Sequence, residues 1–112
     1  MHELSLCGSI YTIVDCAAGG RPVAVIHLRI GRLRQVIPDT LQYCWSLVCE
    51  QTRLEGSELA VDSVPVTLRC KACQGETASH DSLLLCGQCG SSDVAVLTGE
   101  EFLLTSLELA EV

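Results

Sequence analysis

The sequence has no apolar run approaching the ~20 residues that a membrane-spanning helix needs, so no membrane partner is expected. Basic residues are also scarce. Seven lysines and arginines face fourteen acidic residues, for a net charge of −7. That is the wrong sign for a polyphosphate backbone, and nucleic acid is set aside as a partner. The opening Met-His-Glu-Leu-Ser-Leu-Cys lacks the basic region, apolar stretch and cleavage site of a secretory signal, which predicts a cytoplasmic protein. No Ser/His/Asp set, phosphate loop or metalloprotease helix occurs, so the sequence does not read as an enzyme. There is no internal repeat or low-complexity segment. A length of 112 residues allows one compact domain with at most a small metal-stapled lobe.

What is abundant is cysteine. Eight are present, and four fall into two tight pairs, Cys70-Lys-Ala-Cys73 and Cys86-Gly-Gln-Cys89, separated by twelve residues. A reducing compartment keeps such thiols available to a metal. Two Cys-x-x-Cys turns can converge on one tetrahedron, with Gly75, Gly87 and Gly90 supplying backbone freedom. The pattern is that of a zinc ribbon and predicts structural Zn(II). A rubredoxin-like iron site and a disulfide pair are the rival readings. Cys7, Cys16, Cys44 and Cys49 do not repeat the spacing and read as small, partly buried apolar residues. His80, inside the ribbon loop, reads as a surface histidine.

Leu6, Ile10, Ile13, Val14 and Ala17 recur at helical spacing and predict a helix from about Ser5 to Ala18, stopped by Gly19-Gly20. Alternation from Ala24 to Ile30 predicts a strand ending at Gly31, with His27 on its more polar face. Asp39 is the expected N-cap of a second helix whose inward residues are Leu41, Cys44, Trp45 and Val48 and which ends near Gly56. The segment from Glu58 to Leu68 is extended, but Leu59 and Val61 are out of phase with Val64, Val66 and Leu68. A bulge near Ser63 or Pro65 would restore the register. Val94 to Leu97 reads as a strand, and Phe102 to Leu109 as another, although a helix also accommodates the latter. The expected fold is α/β: two helices packed on a small sheet, with the zinc ribbon inserted before the last strand. Residues 1–69 and 93–112 would form the α/β domain, and residues 70–92 the ribbon.

The terminus Met1-His2-Glu3 offers a second kind of site. The α-amine, the His2 amide nitrogen and the His2 imidazole can form two fused chelate rings, three nitrogens in one plane. Such a set favours Ni(II) or Cu(II), with the Glu3 amide or another donor in the fourth position.

Taken together, Met1-His2-Glu3-Leu4-Ser5, the strand end Arg29-Ile30-Gly31, the Asp39 to Trp45 helix start, the two Cys-x-x-Cys pairs, Gly99-Glu100-Glu101-Phe102 and Ser106-Leu107-Glu108 resemble the HypA/HybF family, the nickel metallochaperones of NiFe-hydrogenase maturation. The resemblance runs over essentially the whole chain, in order. It implies that the terminal amine and His2 bind Ni(II) as transferred cargo, with Glu3 helping to hold or tune the site. It also implies that the four ribbon cysteines hold zinc, and that nickel passes with the help of a nickel-dependent GTPase to a hydrogenase large-subunit precursor. Arg32 departs from the family, in which many members carry an acidic residue after the glycine. Cys7, Cys16, Cys44 and Cys49 are not family hallmarks. The alternative reading is a zinc-ribbon interaction module without nickel cargo.

Overall fold

The computed structural model describes residues 2–79 and 84–110, with only the backbone at His2. Its elements are helix α1 (His2–Ala18), strand β1 (Val23–Gly31), a single 3-10 turn (Arg32–Arg34), helix α2 (Pro38–Cys49), and strands β2 (Glu58–Val64), β3 (Val66–Cys70), β4 (Glu76–Ser79), β5 (Val94–Thr98) and β6 (Phe102–Leu109). The strands form two three-stranded sheets, ordered β2-β1-β6 and β4-β3-β5. The chain divides into two compact units, residues 1–28, 36–62 and 103–112 in one and residues 29–35 and 63–102 in the other.

In the first unit the buried face of α1 is Cys7, Ile10, Val14 and Ala18, and that of α2 is Leu41, Trp45 and Cys49. These recur every three or four residues, as a core-facing helical stripe requires. Ile13 and Ala17, expected inside, are exposed, and Cys7 and Cys49 lie inside instead. The thiol, small and weakly polar, fills positions close to the opposing helix. Trp45 is fully buried; its indole N–H donates to Ser57 Oγ at 3.0 Å, and the Ser57 hydroxyl donates onward to the Leu54 carbonyl at 2.6 Å. The Tyr11 ring lies 6.3 Å from that of Trp45. On β1, Val23, Ile26 and Leu28 are buried, while His27 pairs with Glu108 of β6.

Several boundaries differ from expectation. Helix α1 begins at His2 rather than near Ser5. Glu3 in its first turn complements the positive helix end. Helix α2 opens with Pro38 in its first turn, so Ile37 is the N-cap and Asp39 lies in the first turn. The fixed φ of proline is already helical, which suits that position. The helix stops at Cys49, where Gln51 takes φ 60 and the Thr52 hydroxyl donates to the Cys49 carbonyl at 2.6 Å. Gly56, with φ 88, closes the following turn and not the helix itself.

The segment from Glu58 to Cys70 is not one strand with a bulge. Pro65 separates β2 from β3, and the two belong to different sheets. Proline lacks the N–H that a continuous ladder needs, so the phase change in the sequence marks a change of partner. Strand β5 pairs with β3 in the ribbon's own sheet (Leu68 with Val96, Cys70 with Val94), with a register shift at Thr67 and Leu68. Phe102–Leu109 is a strand, β6.

Candidate metal centre

The second unit is built on β3, the central strand of its sheet, whose last residue is Cys70. Immediately after it the chain makes a knuckle. The Cys70 N–H donates to the Gly75 carbonyl at 2.8 Å, and the Gln74 N–H donates to the Cys70 carbonyl at 2.9 Å. The second pair repeats the arrangement: Cys86 N–H to Ser91 carbonyl at 2.9 Å, and Gly90 N–H to Cys86 carbonyl at 2.9 Å. Both knuckles place their fifth residue in the left-handed region, Gln74 at φ 65 and Gly90 at φ 74. In each, the first sulfur accepts from the backbone. Cys70 Sγ takes the Cys73 N–H, and Cys86 Sγ takes those of Gln88 and Cys89, all at 3.4 Å.

The two knuckles bring all four sulfurs to within 4.8 Å of one another. Cys70 Sγ lies 3.6 Å from Cys89 Sγ, and Cys73 Sγ lies 3.6 Å from Cys86 Sγ. A tetrahedron with Zn–S bonds of about 2.3 Å has edges of about 3.8 Å. The cluster therefore fits structural zinc in distance, donor type and number. Each short contact joins one sulfur from each knuckle, so a central ion would cross-link the two turns.

The acidity of the thiols supports the same fit. The backbone N–H of Cys89, followed by that of Gln88, pulls the Cys86 thiol down to about 6, and the N–H of Cys73 holds Cys70 below its ordinary range. At Cys89 the Ser91 N–H pulls downward, but the sulfurs of Cys70 and Cys86 outweigh it and push the group to about 12. At Cys73 the Gly75 N–H is likewise outweighed by Cys86 and Cys70. Cys70 and Cys86 are thus the more acidic pair, and Cys73 and Cys89 the less acidic. A dication at the centre supplies the countercharge that four thiolates require.

The glycines beside the pairs work through space as well as through conformation. A Cβ on Gly75 would meet the Gln88 side chain at 2.5 Å, and one on Gly87 would meet Thr77 at 2.9 Å. The Thr77 hydroxyl accepts from the Gly87 N–H at 3.1 Å, tying the second knuckle to β4.

Met1 lies outside the described residues, and so does His80. His2 opens α1, and Glu3 is half-buried in its first turn. One turn further on, Cys7 is buried and its thiol donates to the Leu41 carbonyl at 3.5 Å. Burial pushes Cys7 up to about 12, with Cys44, Cys49 and Glu3 adding to the effect. Burial also raises Cys49. Both are neutral at ordinary pH and are poor metal donors in that form. Cys44 is half-buried and Cys16 exposed. The proximity of Glu3, Cys7, Cys44 and Cys49 joins two helices and has no signature in the spacing of either.

A family model described as "Hydrogenase/urease nickel incorporation, metallochaperone, hypA" matches residues 1–109. The hydrogenase maturation factor HypA of Nostoc sp. strain PCC 7120 is 38% identical over 112 residues, covering 100% of this chain and 98% of that protein. That of Geotalea uraniireducens is 37% identical over 109 residues, covering 97% and 99%. The solution structure of the Ni metallochaperone HypA from Helicobacter pylori has a TM-score of 0.67 at 22% identity, covering 97% of both chains. At that identity the likeness is one of fold.

Proposed function

The chain belongs to the HypA family of hydrogenase and urease nickel-incorporation metallochaperones, and we propose that it takes up Ni(II) at its N-terminus and hands it on without catalysing a reaction. The ligands in this reading are the Met1 amine with the amide and imidazole nitrogens of His2, and Glu3 holds or tunes the site. The unit of residues 1–28, 36–62 and 103–112 serves as the nickel-binding part, in place of the expected 1–69 and 93–112, because β3 and β5 pair within the ribbon's sheet. Residues 70–92 serve as the ribbon, with Cys70, Cys73, Cys86 and Cys89 as the zinc ligands. The recipients are a nickel-dependent GTPase and a hydrogenase large-subunit precursor, met in the cytoplasm.

The observation that carries the reading is the start of α1 at His2. The first four N–H groups of a helix have no intrahelical acceptor, so the His2 and Glu3 amides give up no hydrogen bond on being deprotonated for a metal. The positive helix end favours loss of those protons but opposes a bound cation. Glu3, in the first turn, offsets the second effect. An open, terminal set of donors can release its ion by ligand exchange, whereas a closed tetrathiolate cannot.

Adding one residue before Met1 tests the chelate, because it removes the α-amine from position while keeping every native side chain. Nickel titration followed by d–d absorption should show the planar complex in the native protein and lose it in the extended one and in His2→Ala. Zinc content should be unchanged in both. Acidification through the imidazole range, near pH 6.5 for an unperturbed histidine, should release nickel as the ring protonates. Unchanged nickel affinity and spectrum in the extended protein would reject the terminal site, and no nickel binding by the native protein would favour the interaction module.

A further inference from the structure

Helix α2 already spends one face on the core, through Leu41, Trp45 and Cys49. Its opposite face is also apolar. Ile37 is 60% exposed, Tyr43 65% and Leu47 47%. Tyr43 and Leu47 are one turn apart, Thr40 lies a turn before Tyr43, and Ile37 is the N-cap. At 100° per residue these four fall within one arc of the helix surface. Asp39 and Glu50 run along the side of that arc remote from the core. Both are exposed, and neither has a side-chain hydrogen bond or ion pair among the described residues.

The charge of the chain is unevenly divided. Residues 1–28, 36–62 and 103–112 hold nine acidic and two basic side chains, whereas residues 29–35 and 63–102 hold five of each. The whole net charge of −7 therefore belongs to the unit that contains α2. Its two basic side chains are both engaged: Arg21 donates to the Ala18 carbonyl at 2.9 Å, and Arg53 faces Asp15 at 4.0 Å.

We propose that the outer face of α2 receives a basic amphipathic helix of a partner protein, with the partner's apolar side chains seated on Ile37, Tyr43 and Leu47 and its lysines or arginines against Asp39 and Glu50. Tyr43 and Leu47, one turn apart, give a second helix a ridge to pack against, and Ile37 extends the same arc. The acidic flank selects basic neighbours and repels phosphate-bearing surfaces. A second copy of this chain would bring two faces of like charge together. The inference stands apart from the nickel site, and its test is run without nickel.

The probe is a fluorescein-labelled synthetic helix with leucines at i, i+3, i+4 and i+7 and lysines elsewhere, titrated with the full-length zinc-bound protein by anisotropy at low and moderate salt. The native protein should bind it, and binding should weaken as salt rises. Truncating interface anchors commonly costs tenfold or more, so Tyr43→Ser with Leu47→Ser should weaken binding about tenfold. Asp39→Asn with Glu50→Gln should flatten the salt dependence. Leu103→Ser, at an exposed leucine of β6, should bind as the native protein does. Near-UV dichroism of Trp45 checks that each variant is folded. Equal binding by the α2 variants, or equal binding of a glutamate-for-lysine probe, would overturn the proposal. So would a concentration-dependent dimer in sedimentation that disappears in the Tyr43→Ser, Leu47→Ser protein, since the occupant would then be a second copy.

Discussion

The peptide of Gly99 occupies the space that a side chain on Gly31 would need. A Cβ on Gly31 would lie 2.0 Å from both the carbonyl carbon and the carbonyl oxygen of Gly99. The approach is locked by the Leu33 N–H donating to the Gly99 carbonyl at 2.9 Å and the Gly31 N–H donating to the Glu101 carbonyl at 2.7 Å. Gly31 itself has φ −68, so the constraint is one of space and not of backbone conformation. Arg29-Ile30-Gly31 and Gly99-Glu100-Glu101, two of the segments that carry the family resemblance, meet here.

Gly31→Ala must therefore displace backbone, which cannot give way as a flexible side chain can. A loss of at least ~2 kcal/mol is expected, in the range for overpacking. Gly8 is the control. It sits within α1, and a Cβ there would meet nothing within 4 Å, so Gly8→Ala should stabilise by ~0.5–1 kcal/mol. Thermal unfolding of the two variants beside the native protein reads both signs, and a neutral Gly31→Ala would contradict the close approach.

Gln74 and Gly90 hold the same place in the two knuckles, yet only one is glycine. A side chain in the left-handed region costs ~1–2 kcal/mol, partly offset by the greater freedom that glycine loses on folding. Gln74→Gly should thus be neutral or stabilising by up to ~1 kcal/mol, and Gly90→Ala destabilising by ~1 kcal/mol. Competition with a zinc chelator measures both, and the same sign for the two substitutions would show that the knuckles are not equivalent.

Cys73→Ser and Cys86→Ser each remove one vertex of the sulfur tetrahedron. Zinc should be lost and the β4-β3-β5 sheet should unravel, because structural zinc contributes on the order of 10 kcal/mol to small domains. Metal analysis and far-UV dichroism follow the two effects. Retention of one tightly held zinc per chain in either variant would remove the tetrathiolate assignment.

The Glu101 carboxylate accepts from the backbone at its own N–H and at that of Gly99, the latter at 2.7 Å, and the charge of Arg29 adds to the effect; its pKa lies below the ordinary glutamate range. The folded state binds this proton less readily than the unfolded chain does. Its contribution to stability is thus complete above the unfolded value of about 4.3 and disappears as pH falls through the lower folded value. Carboxyl NMR titration should place the Glu101 midpoint below that of a free glutamate, and Glu101→Gln should remove this part of the acid sensitivity. A midpoint at or above the free value would show that the turn does not depend on the charge.

Some of this was settled within a few residues of chain. A Cys-x-x-Cys knuckle is closed by hydrogen bonds between residues four and five apart, so the four zinc-site cysteines were legible from spacing alone. The periodicities of α1, α2 and β1 were legible for the same local reason, whereas over Phe102 to Leu109 the pattern left a helix open beside the strand. The proposed terminal chelate likewise draws only on consecutive residues, Met1 to Glu3. What no local pattern contained was the choice of partners. A phase change near Ser63 or Pro65 could be seen, and was read as a bulge and not as the division between two sheets; Val94 to Leu97 could be seen to be extended, but not to pair with β3. Burial of Cys7 against Leu41 and exposure of Ile13, Tyr43 and Leu47 depend on which side of each helix meets another element. The contact of Gly31 with Gly99 joins residues far apart in the chain. Each was decided by tertiary structure, because strand pairing and helix packing are set by long-range complementarity, to which short-range periodicity is blind.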